Sequence, residues 1–350
     1  MKIIKLICVI LFLICVFCFS EGFDLKIERT IGDEREDYTF FSISSAAVSK
    51  EKNIYAADRK GHFIAQYTWD GLFKKRVGQK GLGPGDFQWP TALNISGSKL
   101  YVFDRQNRRI VTLDKELNVL KHSKIKRKNH MFRYIYLTHD NRFVGDDSYI
   151  EKEKEIKKIK VIDIEGNVLH SFFGNIILKD KINDLNFRQF SMLMGYTYLK
   201  MGIDAERKKI LVSFRVPKNP AEFFLYTTEG KLLKSFTYKL DAKYKFPINY
   251  ILKPSEKPVY NSIRGIRSVL IYKEYFLVFL YSYEKGKEST VRGFYCILFD
   301  KDGKPVQKKL MCRDCRYIFY CVTEDGYLIG KKFDEDIEKL YIFKIHLPGS

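Results

Sequence analysis

Residues 90–120 read PTALNISGSKLYVFDRQNRRIVTLDKELNVL, and residues 46–77 read AAVSKEKNIYAADRKGHFIAQYTWDGLFKKRV. The two stretches share one grammar. An alternating apolar segment reaches a turn, a short apolar strand ends on Asp (IYAAD, LYVFD), a polar turn follows, and two further strands flank another turn. Looser copies continue to the end of the chain. YLTHDNRFVGDD at 136–147 pairs with IKVIDIEGNVLHSFFG at 159–174, and MGIDAERKKILVSFRV at 201–216 pairs with FFLYTTEGKLLKSFTY at 223–238. IRSVLIYKEYFLVFLYSY at 266–283 pairs with FYCILFDKDGKPVQKKL at 294–310, and YIFYCVTEDGYLIGKKF at 317–333 pairs with KLYIFKIHL at 339–347. A period of roughly 40–50 residues is that of a four-stranded blade, which cannot bury its own faces and must stack on copies of itself.

The local chemistry agrees with this at each copy. The strands are short and rich in Val, Ile, Phe and Tyr. Asp70-Gly71, Glu165-Gly166, Glu229-Gly230, Asp302-Gly303 and Asp325-Gly326 mark tight hairpins, because such pairs tolerate positive φ. No long segment carries a helical period, which excludes an alternating α/β fold. The sequence therefore predicts an all-β fold, a six-bladed β-propeller. Its blades fall at about 46–78, 90–125, 130–174, 196–238, 260–311 and 316–347. The last copy is one strand short, and FDLKIERTIG at 23–32 resembles the outer strand LFKKRVG at 72–78. The N-terminal strand is expected to complete the last blade and so close the ring.

Residues 1–20 are read as a signal peptide. Lys2 and Lys5 precede the unbroken apolar run from Leu6 to Phe19, and Cys18 and Ser20 are small residues at the −3 and −1 positions of a cut after Ser20. Lipidation at Cys15 or Cys18 is disfavoured by the bulk of Ile14 and Phe17. The expectation is an exported protein, periplasmic, cell-surface or secreted, with residues 21–350 as one propeller domain and no transmembrane span after cleavage.

The chain has 62 Lys and Arg against 42 Asp and Glu, a formal net charge of +20. That balance favours anionic partners, although the lysines are scattered, and export argues against nucleic acid. Four cysteines follow the signal: Cys296, Cys312, Cys315 and Cys321. An even number in an exported chain permits disulfides, and Cys312-x-x-Cys315 is a candidate pair. A zinc knuckle is disfavoured, because Cys296 and Cys321 lie in apolar strands and are not spaced as a second close pair.

GLGPGDFQWPTALNISGSKLYVFDRQNRRIVTLD resembles an NHL-type repeat in its Gly-rich lead, Phe87, Pro90, the LYV at 100–102, Asp104, Asn107 and Arg109-Ile110. The 46–70 copy keeps IYAAD but has Gly61-His62-Phe63 in place of Asn, Arg and Ile. The mature chain thus resembles the exported bacterial six-bladed β-propeller proteins. The resemblance implies a fold and leaves the activity open.

Few motifs carry chemistry. The glycine cluster GQKGLGPGDFQWP at 78–90 lacks the helix a phosphate loop needs, Pro84 removes an amide, and no Gly-Lys-Ser/Thr follows. It reads as the crossing from one blade to the next, with Phe87 and Trp89 either packed between blades or placed on the ring's face. In the turn at 104–109, Asp104 and Asn107 suit local turn bonding, Arg109 can pair with an acid in a neighbouring strand, and Arg105 and Arg108 can reach an anion. The six histidines, His62, His122, His130, His139, His170 and His346, are dispersed and form no close metal pair. EKEKEIKK at 151–158 is a solvated hairpin tip. Two long connections, about 175–197 and about 239–264, carry Phe187, Arg188, Phe190, Tyr196, Tyr244, Phe246, Tyr250 and Tyr260, a composition suited to sugar or peptide recognition.

The function read from these features is non-catalytic: an exported binding or scaffolding protein without cofactor, whose partner is a protein, peptide or glycan. It would bind through the face carrying the inter-blade loops, with Trp89, Arg105, Arg108, Phe187, Arg188, Phe190, Tyr196, Tyr244 and Tyr250 as candidate binding residues. The alternative is a metal-dependent lyase or lactonase-type hydrolase with its site at the central channel.

Overall fold

The computed structural model describes residues 23–32, 39–126, 132–147, 159–173, 199–204, 206–214, 220–240, 265–283, 291–313, 315–333 and 335–348. The first strand, β1 (Asp24–Ile31), is separated in sequence from the sheet it joins. The first blade then holds β2 (Ile43–Val48), β3 (Ile54–Asp58), β4 (Phe63–Tyr67) and β5 (Phe73–Val77), and the second β6 (Pro90–Ser96), β7 (Lys99–Asp104), β8 (Arg109–Asp114) and β9 (Val119–Lys124). The third holds β10 (Phe132–Leu137), β11 (Phe143–Asp147), β12 (Ile159–Ile162) and β13 (Val168–Phe172). The fourth holds β14 (Leu199–Ile203), β15 (Lys209–Phe214), β16 (Ala221–Thr227) and β17 (Leu232–Tyr238). The fifth holds β18 (Ile266–Tyr272), β19 (Tyr275–Tyr283), β20 (Val291–Phe299) and β21 (Pro305–Cys312). The sixth holds β22 (Tyr317–Val322), β23 (Tyr327–Lys332) and β24 (Leu340–His346), with β1 as its outer strand.

The protein is an all-β, six-bladed propeller of four-stranded antiparallel sheets. β1 pairs antiparallel with β24 from Asp24↔His346 to Ile31↔Leu340, so the N-terminal strand closes the last blade as the sequence predicts. That pairing hides the edge of β24 and joins the two ends of the described chain.

Burial follows position within the blade. The middle strands are covered on both faces by neighbouring blades, so IYAAD of β3, FIAQY of β4 and RIVTL of β8 are buried throughout. The outer strands keep one face in water and alternate, as in FKKRV of β5 and PVQKKLMC of β21. The core is a ring of inter-blade seams. Tyr55, Ala57, Phe87, Leu100 and Val102 fill the seam between the first and second blades. Phe223, Phe236 and Phe276 stack between the fourth and fifth, with ring centroids 5.0 and 5.5 Å apart. Phe279 meets Phe319 at 4.3 Å between the fifth and sixth. Each fully buried Phe contributes roughly 1.5–3 kcal/mol of burial free energy.

Candidate ligand-binding face

The inner strands β2, β6, β10, β14, β18 and β22 line a central cavity of about 670 Å³. Several of its polar side chains hold neighbouring blades together. Ser45 Oγ accepts the Leu93 N–H at 3.0 Å, and Ser44 Oγ donates to Pro90 O at 2.5 Å. Asn94 reaches the third blade twice, donating to Ile135 O at 3.2 Å and accepting from Leu137 N–H at 2.9 Å. Asp146 Oδ2 accepts from Leu199 N–H at 3.3 Å across the next seam. Ser268 Oγ donates to Phe319 O at 3.0 Å and accepts its N–H at 2.9 Å, and Tyr320 OH donates to Ile43 O at 2.8 Å. The seam between the fourth and fifth blades is closed by proximity instead. A Cβ on Gly202 would lie 2.1 Å from Val269 O, so only glycine lets β14 approach β18 this closely.

Several charged groups around the cavity are likewise engaged. Lys115 pairs with Glu51 and Lys52 with Asp325 at the rim formed by the first hairpin of each blade. The Arg207 guanidinium donates to Ile95 O, and burial holds its pKa below the usual arginine value. Arg267 lies 4.5 Å from the centroid of the Tyr281 ring.

The opposite rim carries the links between blades and the turns between the second and third strands. Carboxylates there cap the amides of the incoming chain. Asp58 accepts from Phe41 N–H at 2.5 Å, Ser42 N–H at 3.0 Å and Gly61 N–H at 2.7 Å. Asp104 accepts from Gln88 N–H at 2.7 Å and from Asn107 Nδ2 at 2.7 Å. Glu338 does the same for Ile43 N–H and also pairs with Lys331 at 2.5 Å.

The glycine cluster at 78–90 is held by Arg109. Its Nε donates to Asp104 Oδ2 at 2.9 Å, Nη1 to Leu82 O at 2.9 Å, and Nη2 to Gly83 O at 3.2 Å and Asp86 O at 2.8 Å. The acid that Arg109 pairs with lies on the adjacent strand of its own blade. Burial raises the Asp104 carboxyl, against the lowering effect of the Gln88 amide, Asn107 and Arg109. Gly78, at φ 109°, has the Phe87 ring where a Cβ would stand, 2.5 Å away, and Phe87 is fully buried beneath the link. The loop therefore crosses between blades and presents its carbonyls inward, to a guanidinium.

Trp89, by contrast, is 40% exposed on this rim. Its backbone is left-handed, φ 61°, and is pinned where Arg105 N–H donates to Trp89 O at 3.2 Å. The Arg59 guanidinium lies 5.8 Å from the indole centroid, and Arg59 Nη2 donates to Ser42 Oγ at 3.3 Å. The Trp89 N–H points at His62 Nδ1, 3.5 Å away. Arg105 is half-buried and Arg108 exposed in the neighbouring turn. Thus Trp89, Arg105 and Arg108 share one sector of the rim, together with Arg59 and His62, which the sequence reading did not single out. The signal for them was available: Arg59 and His62 stand in the turn after IYAAD, the counterpart of the turn that holds Arg105 and Arg108. Phe187, Arg188, Phe190, Tyr196, Tyr244 and Tyr250 lie outside the described residues, although the strands flanking their connections, β13 to β14 and β17 to β18, end and begin at this same rim.

Among the described residues, His139, Asp140 and Glu229 bring three potential ligand atoms within 4.8 Å, all exposed and none lining the cavity. His139 and Asp140 sit in the turn of the third blade, and Glu229 comes from the fourth, a neighbour that chain spacing does not reveal. Arg142 enters the group, pairing with Asp140 and lying 3.8 Å from Glu229, so a guanidinium already supplies the positive charge. Burial would raise Asp140, but the hydrogen bonds of Arg142 and Thr138 outweigh it and hold the carboxyl at about 2. Cys312 and Cys315, Cα atoms 5.9 Å apart, are paired as a disulfide across the crossing from β21 to β22. Cys296 and Cys321 are free thiols, and burial raises the pKa of both, that of Cys321 to about 12.

No family model matches the chain, and neither does any curated protein. Solved structures do match. A member of the DUF4221 family from Bacteroides vulgatus is 11% identical, with 94% of this chain and 99% of that one aligned at a TM-score of 0.58. A candidate exported protein from Bacteroides fragilis is 9% identical, with 93% and 96% aligned at 0.61. Virginiamycin B lyase from Staphylococcus aureus aligns at 9% identity over 92% and 99%, with a TM-score of 0.49. At these identities the first two likenesses concern the fold alone, and the third carries no argument about chemistry.

Proposed function

We propose that this chain is an exported, non-catalytic binding or scaffolding propeller of NHL-type repeats that engages its partner through the face carrying the inter-blade links. The observation that supports this most is the unequal use of polar groups on the two parts of the ring. In the cavity, Ser44, Ser45, Ser268, Asn94, Tyr320 and Oδ2 of Asp146 are committed to inter-blade bonds. Between the first and second blades the link face holds Asp58 and Asp104 inward, while Trp89 and Arg108 are exposed and Arg59 is half-buried. Aromatic and arginine side chains on a rigid rim are the ordinary anchors of protein and peptide interfaces. Export rests on the segment 1–20, which lies outside the described residues. No helix among the described residues is long and apolar enough to cross a membrane.

A channel-centred lyase or hydrolase would need convergent His or carboxylate ligands on several inner strands. The one such group among the described residues lies away from the cavity. The test is a peptide and glycan binding screen of the purified mature protein, repeated with Arg105→Glu plus Arg108→Glu on the link face and with Lys208→Glu on the opposite face. Binding that weakens only with the link-face pair supports the reading. Binding lost only with Lys208→Glu would refute it, as would turnover of a lyase or lactone substrate that tracks bound metal.

A further inference from the structure

We propose that the sector of the link face between the first and second blades, centred on the stacked pair Arg59–Trp89, docks an acidic peptide segment of a partner protein. The inference deepens the link-face reading and rests on it.

The sector comprises Phe41 and Ser42, the turn 59–62, the crossing 78–90 and the turn 105–108. Its charges are sorted by burial. Asp58 and Asp104 are fully buried and directed at backbone amides. Asp86 is turned back on its own loop, accepting the Gly83 N–H at 3.0 Å. The cations remain at the surface: Lys60, Lys80 and Arg108 are exposed, and Arg59 is half-buried against Trp89. Among the described residues of the sector the acids thus lie inside and the bases outside, an arrangement that favours an anionic partner in a chain already at +20. A carboxylate brought to Arg59 meets a planar donor fork held by Ser42 Oγ and by the indole.

Apolar surface stands beside these charges. Trp89 is 40% exposed, Phe41 61% and Leu82 72%. An indole fixed by its backbone orders at low entropic cost when a partner arrives, which is what makes Trp and Arg the usual hot-spot residues. The same inventory favours peptide over sugar. Sugar hydroxyls need carboxylate and amide partners, and here Asp58, Asp86, Asp104 and Asn107 are all committed to the loops. A segment mixing Glu or Asp with Leu or Phe fits both the charge and the apolar surface.

The chain has two tryptophans, so Trp69→Phe leaves Trp89 as the only fluorescent indole. The experiment titrates that variant of the mature protein with a short peptide of Glu and Leu, with its Gln and Leu counterpart, and with polygalacturonate. The expected result is saturable quenching by the Glu peptide alone. Introduced into the otherwise native protein, Arg59→Ala and Trp89→Ala should each weaken binding of the labelled peptide about tenfold or more. Arg59→Lys should recover part of the loss, and Lys208→Ala on the opposite face should change nothing. Circular dichroism melts verify that each variant is folded. Three outcomes would overturn the proposal: no saturable binding, equal binding of the Gln peptide, or binding of polygalacturonate in its place. If link-face binding persists in folded Arg59→Ala and Trp89→Ala but is lost in Arg105→Glu plus Arg108→Glu, the Arg59–Trp89 pair is not the anchor, this proposal fails and the link-face reading stands. If only opposite-face changes abolish binding, both fail together.

Discussion

Replacing Arg109 with methionine keeps most of the side-chain volume and removes the charge, so it isolates what the guanidinium contributes. Arg109 is 7% exposed and its partner Asp104 is fully buried, which places the pair in the class where loss of one member leaves an uncompensated charge. Such changes cost about 3–5 kcal/mol. Two features set the value at the lower end. Asp104 keeps the Gln88 amide and Asn107, both at 2.7 Å. Leu82, whose carbonyl Arg109 also binds, is 72% exposed, so water can replace that bond. We therefore expect a loss of about 3 kcal/mol, read as a lower urea midpoint at unchanged slope with circular dichroism as the probe. Adding Asp104→Asn removes the stranded charge while leaving an acceptor for Gln88, and the double variant should recover about 1–2 kcal/mol relative to additivity. A loss under about 1 kcal/mol for Arg109→Met would place the pair with exposed ion pairs and refute the buried-pair argument. Strict additivity in the double variant would refute the charge argument.

Gly202→Ala should destabilise by about 1–3 kcal/mol, because the new methyl meets the Val269 carbonyl of the next blade rather than a movable side chain; a thermal melt equal to wild type would contradict this. Deleting residues 23–31 strips β1 from the sixth blade and exposes the edge of β24; we expect a lower melting temperature and concentration-dependent association by light scattering. Asp140 has its pKa lowered to about 2 in the folded protein, so its pairing with Arg142 stabilises above the unfolded carboxyl value of roughly 4 and is lost as pH falls toward 2. Asp140→Asn should accordingly flatten the acid limb of a stability–pH profile and leave the slope above pH ~5 unchanged. Alkylation of the denatured, unreduced protein should label Cys296 and Cys321 and spare Cys312 and Cys315 until reductant is added.

The blades were legible because burial writes itself onto the middle strands. A strand covered on both faces must be apolar almost throughout, and IYAAD and LYVFD satisfy that while FKKRV, an outer strand, alternates. Asp104 was legible as turn chemistry, since its bond to Asn107 is local; its grip on Gln88 is not, because the partner is a backbone amide sixteen residues earlier. The inter-blade bonds were harder still. Ser45, Asn94 and Ser268 are polar residues in largely apolar strands, and each meets a backbone group 41 to 51 residues away. The only trace they leave in sequence is the interruption itself. The first inner strand likewise starts at Ile43, ahead of the recognisable repeat, with its register against β3 irregular between Ile43 and Ser45. The grouping of His139, Asp140 and Glu229 comes from two blades in contact, which neither hairpin announces alone.

The distribution of these bonds bears on where recognition can reside. A propeller ring has no central hydrophobic plug, so its inner strands must satisfy their polar groups against one another or against water. In this chain most seams are crossed by a side chain from the cavity wall, and each such residue is thereby fixed in a structural bond. Changing one to suit a ligand would leave a backbone amide or carbonyl without its partner, at about 1–3 kcal/mol each. The link rim works under the opposite constraint. Its buried acids cap the chain from within, so those backbone amides keep their partners when an exposed side chain such as Lys60 or Trp89 is replaced. Substitution costs the ring least at such exposed positions, and that is the physical ground for proposing the Arg59–Trp89 sector rather than the cavity as the docking site.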